Sequence, residues 1–242
     1  MPAHPARTGP RRAKPPVVAG ADGCPQGWVV ARVQGRRLLG IEVVAAAELP
    51  TTGAFVCIDI PIGLPERGRR TLESQVRARL PGRGSTVFPT PVRPILDAPG
   101  YWEANVLSRE LCDGRGISQQ TWHITPRIAE IDALLAADPA LDERVAEAHP
   151  ELAFTTMNGG VPPVSKHTAA GLAQRRALLA AWLGEAVVAA LPARLGTARA
   201  DDVLDAVAVA WVAQRWAGGR AEVFQDPECP RDGTGRPMRI LC

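Results

Sequence analysis

Apolar residues gather in three short β-branched runs near the start of the chain, VVAGADG from Val17, GWVVARV from Gly27 and RLLGIEVV from Arg37, with turn residues between them. These runs predict three strands. Gln34-Gly35 is a tight-turn signal between the second and third, and Gly23 to Gly27 turns the first into the second, so an antiparallel meander is expected. A short alanine-rich helix, Ala45 to Leu49, then leads to AFVCIDI, Ala54 to Ile60. That continuous apolar run suits a central strand buried on both faces, with Asp59 at its C-terminal end.

Residues 61–99 hold seven prolines and seven arginines with little apolar periodicity, and predict a long irregular excursion. Two helices are expected next, Tyr101 to Leu111 and Thr125 to Ala137. In the second, Thr125 is the N-cap, Pro126 the first helical residue, and Ile128, Ile131, Leu134 and Leu135 form one face. ERVAEAHPELAF reads as a fifth strand, stopped near Pro150. A helix follows from Thr168 to Leu191, then a break over Pro192 to Gly196 and a strongly apolar last helix, ADDVLDAVAVAWVAQRW. The terminal AEVFQD and MRIL segments suit edge strands or packed tail. A meander followed by alternating strands and helices predicts an α/β fold, one domain over residues 17–242 with an insertion at about 61–140.

Charge changes this picture little. The chain of 242 residues carries a formal +3, but Arg7, Arg11, Arg12 and Lys14 lie in a Pro/Arg-rich opening that is expected to be a disordered basic tail over residues 1–16, leaving the body nearly neutral. Only Lys14 and Lys166 are lysines, a skew that GC-rich coding explains without selection for phosphate contacts. No stretch is long and apolar enough to span a bilayer. Five scattered cysteines without a C-x-x-C pair argue against a disulfide framework and a zinc site. The expectation is a soluble cytoplasmic protein without a membrane partner.

The candidate chemistry is carboxylate chemistry. Asp22 ends the first strand, Asp59 the fourth, and Glu147 lies near the end of the fifth; in an open α/β sheet the carboxyl ends of neighbouring parallel strands form the binding crevice. Converging carboxylates repel one another and are tolerated by protonation or by a cation, for which hard oxygen ligands imply Mg²⁺ or Mn²⁺. Taken singly, each acid also suits a turn or a solvated strand end. On the last helix Asp202 and Asp205 share a face, and Asp205 is the one charge in the apolar run from Val203 to Ala213, so it requires a partner. Asp201 and Asp202 are equally explained as helix-start acids.

Ordered blocks along the chain carry a resemblance: GADGC from Gly20, GWVVA from Gly27, IDIPIGL from Ile58, STVFPTPVR from Ser85, GISQQTW from Gly116, PRIAEID from Pro126, EAHPE from Glu147, SKHTAAG from Ser165 and DDVLDA from Asp201. Over about residues 17–215 the chain resembles the family catalogued as domain of unknown function 429, predicted nucleases of the ribonuclease-H-like superfamily. The resemblance implies a mixed five-stranded sheet of order 3-2-1-4-5 with flanking helices and an insertion after strand 4. It implies a two-metal site for phosphodiester hydrolysis, with Asp22 on both ions, Asp59 on one, Asp202 and Asp205 completing the set and Glu147 as a further ligand. One departure is visible: the family's Arg, Asp, Arg series after IDIPIGL reads Arg70, Glu73, Arg77 here.

Seven arginines against two glutamates between residues 66 and 93 are candidates to steer a phosphate backbone, Arg69 and Arg70 foremost, or else form a solvated loop. Lys166 is a candidate phosphate contact or a surface lysine. His149 suits a proton shuttle or a structural histidine, Trp102 and Trp122 base stacking or, more readily, core packing, and Cys24 a packed thiol. Two rivals stand beside the nuclease. A sugar-kinase-like phosphotransferase needs a duplicated fold or a phosphate loop, neither of which is visible. A non-catalytic module that binds nucleic acid or protein is compatible with the same fold.

Overall fold

The computed structural model describes residues 14–242. Residues 1–13 of the expected tail lie outside the described residues; 14–16 precede the first strand without regular structure. Strands β1 (Val17–Cys24), β2 (Gly27–Gln34) and β3 (Arg37–Val44) form the antiparallel meander. A 3₁₀ turn (Ala46–Thr51) leads into β4 (Phe55–Ile58), which runs parallel to β1. The chain then leaves the sheet through α1 (Leu72–Ala78), α2 (Tyr101–Leu111) and α3 (Gln119–Ala137), and returns as β5 (Val145–Ala148), parallel to β4. Helices α4 (Pro150–Met157), α5 (Ala169–Leu183) and α6 (Glu185–Ala189) follow, then the small hairpin of β6 (Arg194–Leu195) and β7 (Ala198–Arg199). Helix α7 (Ala200–Ala217) precedes the last two strands, β8 (Val223–Gln225) and β9 (Arg239–Leu241).

The main sheet has seven strands in the order β3-β2-β1-β4-β5-β9-β8, two more than expected. Segments at the C-terminus supply them: β9 pairs parallel to β5 and β8 antiparallel to β9. Strand alternation sorts the central residues onto two cores. Val29, Ala31 and Val33 pack with α4, α5 and α7 on one face, whereas Ala19, Ala21, Trp28 and Val30 pack with Ile128, Ile131 and Leu135 of α3 on the other. The sheet is therefore the middle of three layers.

Four local expectations are corrected. Helix α3 starts at Gln119 with Ser118 as its cap, Ser118 Oγ accepting from Thr121 N–H, rather than at Thr125. Pro126 is tolerated inside it because the Thr125 hydroxyl donates to the Trp122 carbonyl at 2.7 Å, the acceptor that the missing proline N–H leaves open. The fifth strand ends at Ala148, just short of the stop expected near Pro150, and the PELAF part of the expected run is helix α4, which Pro150 opens. The long helix after Thr168 is divided by Gly184, whose φ of 97° only glycine adopts readily. The arginine-rich excursion contains a real helix, α1, whose Leu72 and Val76 pack against Phe224 and Ile240 at the sheet edge.

A single glycine sets the height of α7 over the sheet. A β-carbon on Gly20 would stand 2.1 Å from the backbone nitrogen of Ala210 and 2.2 Å from the carbonyl oxygen of Ala206. Backbone thus meets backbone, and α7 lies against β1 closely enough to bring its one buried acid to the end of that strand. No helix among the described residues is long and apolar enough to cross a membrane.

Candidate functional site

Strand register alone makes Asp22 and Asp59 neighbours. Ala21 pairs with Ile58 across the parallel β1–β4 ladder, and the Asp59 N–H donates to the Ala21 carbonyl at 2.9 Å. The next residue on each strand is an aspartate, and adjacent strands lie about 4.8 Å apart. Asp205 joins them from α7, with only 2% of its surface exposed. Burial raises all three carboxyls above the usual range for aspartate. Asp22 is held well above it by burial and then by the charges of Asp59 and Asp205. Asp59 is pushed up to about 7 by burial against the opposing pull of Lys166. Asp205 is pushed up to about 6 by burial, again relieved by Lys166.

Lys166 is the counter-charge of this cluster. Its Nζ donates to Asp205 Oδ2 at 2.6 Å and stands 3.8 Å from Asp201 Oδ2. Burial opposes its charge, but Asp205, Asp22 and Asp59 outweigh that and hold the ammonium firmly protonated. One cation thus faces three acids. Asp205 Oδ1 is buried with no hydrogen-bond partner among the described residues, the state in which a carboxylate oxygen is most in need of a ligand. The donor set fits a hard divalent cation in chemistry and charge. Among the described residues no three ligand-type side chains converge tightly enough to hold an ion as they stand.

The other proposed ligands are differently employed. Asp202 Oδ2 accepts from the Arg199 N–H at 2.7 Å, capping α7, although its charge still reaches Asp22. Glu147 is bound by Arg70 Nη1 and Nη2 at 2.9 and 3.1 Å and by the Ile62 N–H at 2.9 Å. Arg70 also meets Glu73 and the Ile62 and Gly63 carbonyls, so this guanidinium is a buried structural cation with no donor left for a substrate. Arg69 stays exposed, its one side-chain hydrogen bond among the described residues running to the Gly116 carbonyl at 3.4 Å. Of the remaining arginines in that stretch, Arg77 holds the Val87 carbonyl, Arg79 pairs with Glu222, and Arg93 ties Glu66, Asp132 and Asp232 together.

His149 lies beside the cluster with Nε2 3.2 Å from the Thr86 carbonyl, and burial lowers its affinity for a second proton. Cys24 is a buried free thiol. Trp122 packs against Tyr101, whereas Trp102 is 74% exposed on α2, in a groove that Asp22 and Asp59 do not line, contrary to the expectation of core packing. Glu73 lines a cavity with Asp22 and Asp59, and so do Trp28, Phe88 and Arg127, to which no role is assigned from sequence. The Glu73 signal was present as the acid of the Arg70, Glu73, Arg77 series; the others carry none that spacing reveals.

The fold and site define an α/β protein with half-buried acids at the carboxyl ends of two parallel central strands and a buried acid on the helix above them. Residues 20–229 match the family model described as "Protein of unknown function (DUF429)", and the chain belongs to that family. No curated protein and no solved structure matches it.

Proposed function

We propose that the protein is a metal-dependent phosphodiester hydrolase of ribonuclease-H-like fold, acting on nucleic acid with Mg²⁺ or Mn²⁺ held by Asp22, Asp59 and Asp205. The observation that carries this reading is three acids, all raised by burial, facing the single ammonium of Lys166 and leaving Asp205 Oδ1 without a partner. Three carboxyls that share one ammonium, two of them holding protons that an ion would displace, together with an orphaned hard oxygen, favour a divalent cation. The strand order β3-β2-β1-β4-β5 within the sheet, with an acid-bearing helix crossing β1, supports the fold assignment.

When bound, the ion supplies Lewis-acid activation of water and charge stabilisation at the leaving oxygen. Without the ion Asp59 holds its proton up to about pH 7, so binding of the ion at neutral pH would displace that proton and leave Asp59 as an ionised ligand. Lys166 remains charged and offsets one acid, limiting the repulsion a phosphate meets on approach. Asp202 orients α7 through its cap, and Glu147 with Arg70 braces the loop after β4; both are positioning residues in this account.

Incubation of the full chain with single-stranded, duplex and branched DNA and RNA in Mn²⁺ tests the activity. Product that disappears with EDTA is expected; no product from any substrate while Mn²⁺ binding is confirmed overturns it. One observation favours the second reading, a non-catalytic nucleic-acid or protein binding module: Lys166 already neutralises Asp205 without any ion.

A further inference from the structure

Of the six tryptophans, Trp102 alone is exposed, with 74% of its surface open on α2. Val106, one turn further along the same face, is 44% open. With Leu107 and Pro99 they line a groove of about 530 Å³ between α2 and the 3₁₀ turn before it, Arg93–Asp97. Single exposed apolar residues are ordinary, but a tryptophan and a valine side by side in a concave site form an anchor of the kind that interfaces use.

Charge narrows what can cover this groove. Asp97, Glu103 and Glu110 also line it, all three are exposed, and none forms an ion pair among the described residues. No arginine or lysine stands among its lining residues. Glu103 lies in the first turn of α2, where the helix dipole favours an acid, but Glu110 lies in the last turn, where the dipole opposes one. Nucleic acid and anionic lipid are repelled by such a rim. A purely apolar partner would strip the acids of water and give nothing in return. The occupant that fits is cationic, with apolar groups between its charges.

A segment of that chemistry opens this chain. Residues 1–13, outside the described residues, read MPAHPARTGPRRA, with three arginines, three prolines and no acid. Three guanidiniums match three carboxylates, and a guanidinium also lies well over an indole face. Proline rings are apolar partners for an aromatic-lined groove. Thirteen residues reach at most about 45 Å, comparable with the breadth of a domain whose radius of gyration is about 17 Å. The described chain follows directly, with the Pro15 carbonyl accepting from Gln34 Nε2 at 3.0 Å.

We propose that the Trp102 groove is the docking site of the chain's own opening segment, residues 1–13, with its arginines on Asp97, Glu103 and Glu110 and its prolines against Trp102 and Val106. The inference is independent of the hydrolase reading, because Asp22 and Asp59 do not line this groove.

The test follows the Trp102 indole N–H signal of the ¹⁵N-labelled full chain, identified as the one lost in Trp102→Phe. Replacing Arg7, Arg11 and Arg12 together with serine, all ahead of β1, should move that signal in a protein that remains folded, and about 0.5 M NaCl should move the wild-type signal the same way. Titrating the serine variant with the peptide MPAHPARTGPRRA should return the signal saturably towards its wild-type position. The same peptide with its three arginines replaced by serine should bind about tenfold more weakly, the worth of three exposed ion pairs. A signal unmoved by the triple substitution, a peptide that does not shift it, or equal binding of the two peptides overturns the proposal. A signal that follows protein concentration whether or not the arginines are present also overturns it, and assigns the groove to a second copy of the chain.

Discussion

Replacing Asp205 with asparagine measures how much charge strain the site carries. Asp205 is 2% exposed, and its carboxyl is raised from 3.8 to about 6 by burial, even with Lys166 Nζ 2.6 Å away. Two units of proton affinity correspond to about 3 kcal/mol. The folded state holds this proton to higher pH than the unfolded chain does. The resulting stability is full below about pH 4 and is lost as pH rises through about 6. At pH 8 the wild type bears the whole penalty, whereas Asn bears none and still accepts from Lys166, more weakly than a carboxylate. Asp205→Asn should therefore be more stable by about 1–3 kcal/mol at pH 8, with the difference vanishing near pH 4. Urea unfolding followed by far-ultraviolet circular dichroism in EDTA, at both pH values, measures it. A variant less stable by about 3 kcal/mol or more at pH 8 would show that the ion pair with Lys166 is net stabilising and refute the strain argument.

Lys166→Met removes the ammonium that competes with a cation for Asp205, so calorimetry should show Mn²⁺ binding about tenfold tighter, with lower stability without metal at pH 8; weaker binding would make Lys166 a partner of the ion rather than its stand-in. Arg70→Lys retains one charge but cannot meet Glu147, Glu73 and two carbonyls together, and urea melts should show a loss of about 3–5 kcal/mol. A loss under about 1 kcal/mol would mean that the Arg70 network does not brace the loop after β4. Gly20→Ala forces a β-carbon onto the backbone of Ala206 and Ala210, and should cost about 3 kcal/mol or more and abolish Mn²⁺ binding; near-native stability with metal binding intact would separate α7 seating from the position of Asp205.

Much of the sheet was legible because its signals are local. The β-branched runs and the Gln34-Gly35 turn gave the meander, and the apolar AFVCIDI run gave a strand with Asp59 just past its end. Asp205 stood out because one charge in a helix buried along most of its length demands a partner. The identity of that partner was not legible: Lys166 lies 39 residues away and meets it only through the tertiary fold. Arg70 misled for the same reason. An arginine in a basic stretch reads as solvent-facing, yet its two glutamate partners and two carbonyls enclose it, one of them from a strand 77 residues on. The C-terminal strands β8 and β9 are three residues each, too short for periodicity to separate them from packed tail.

The most direct measurement is isothermal titration of Mn²⁺ into the wild type and Asp22→Asn at pH 7. Asp22 lies where the charges of Asp59, Asp205 and Lys166 meet, and its carboxyl holds its proton well above the ordinary range. The account predicts saturable binding to the wild type with release of protons, seen as a heat that changes with the ionisation enthalpy of the buffer, and no binding to Asp22→Asn. Identical isotherms for the two proteins, or a wild-type heat independent of the buffer, would contradict it.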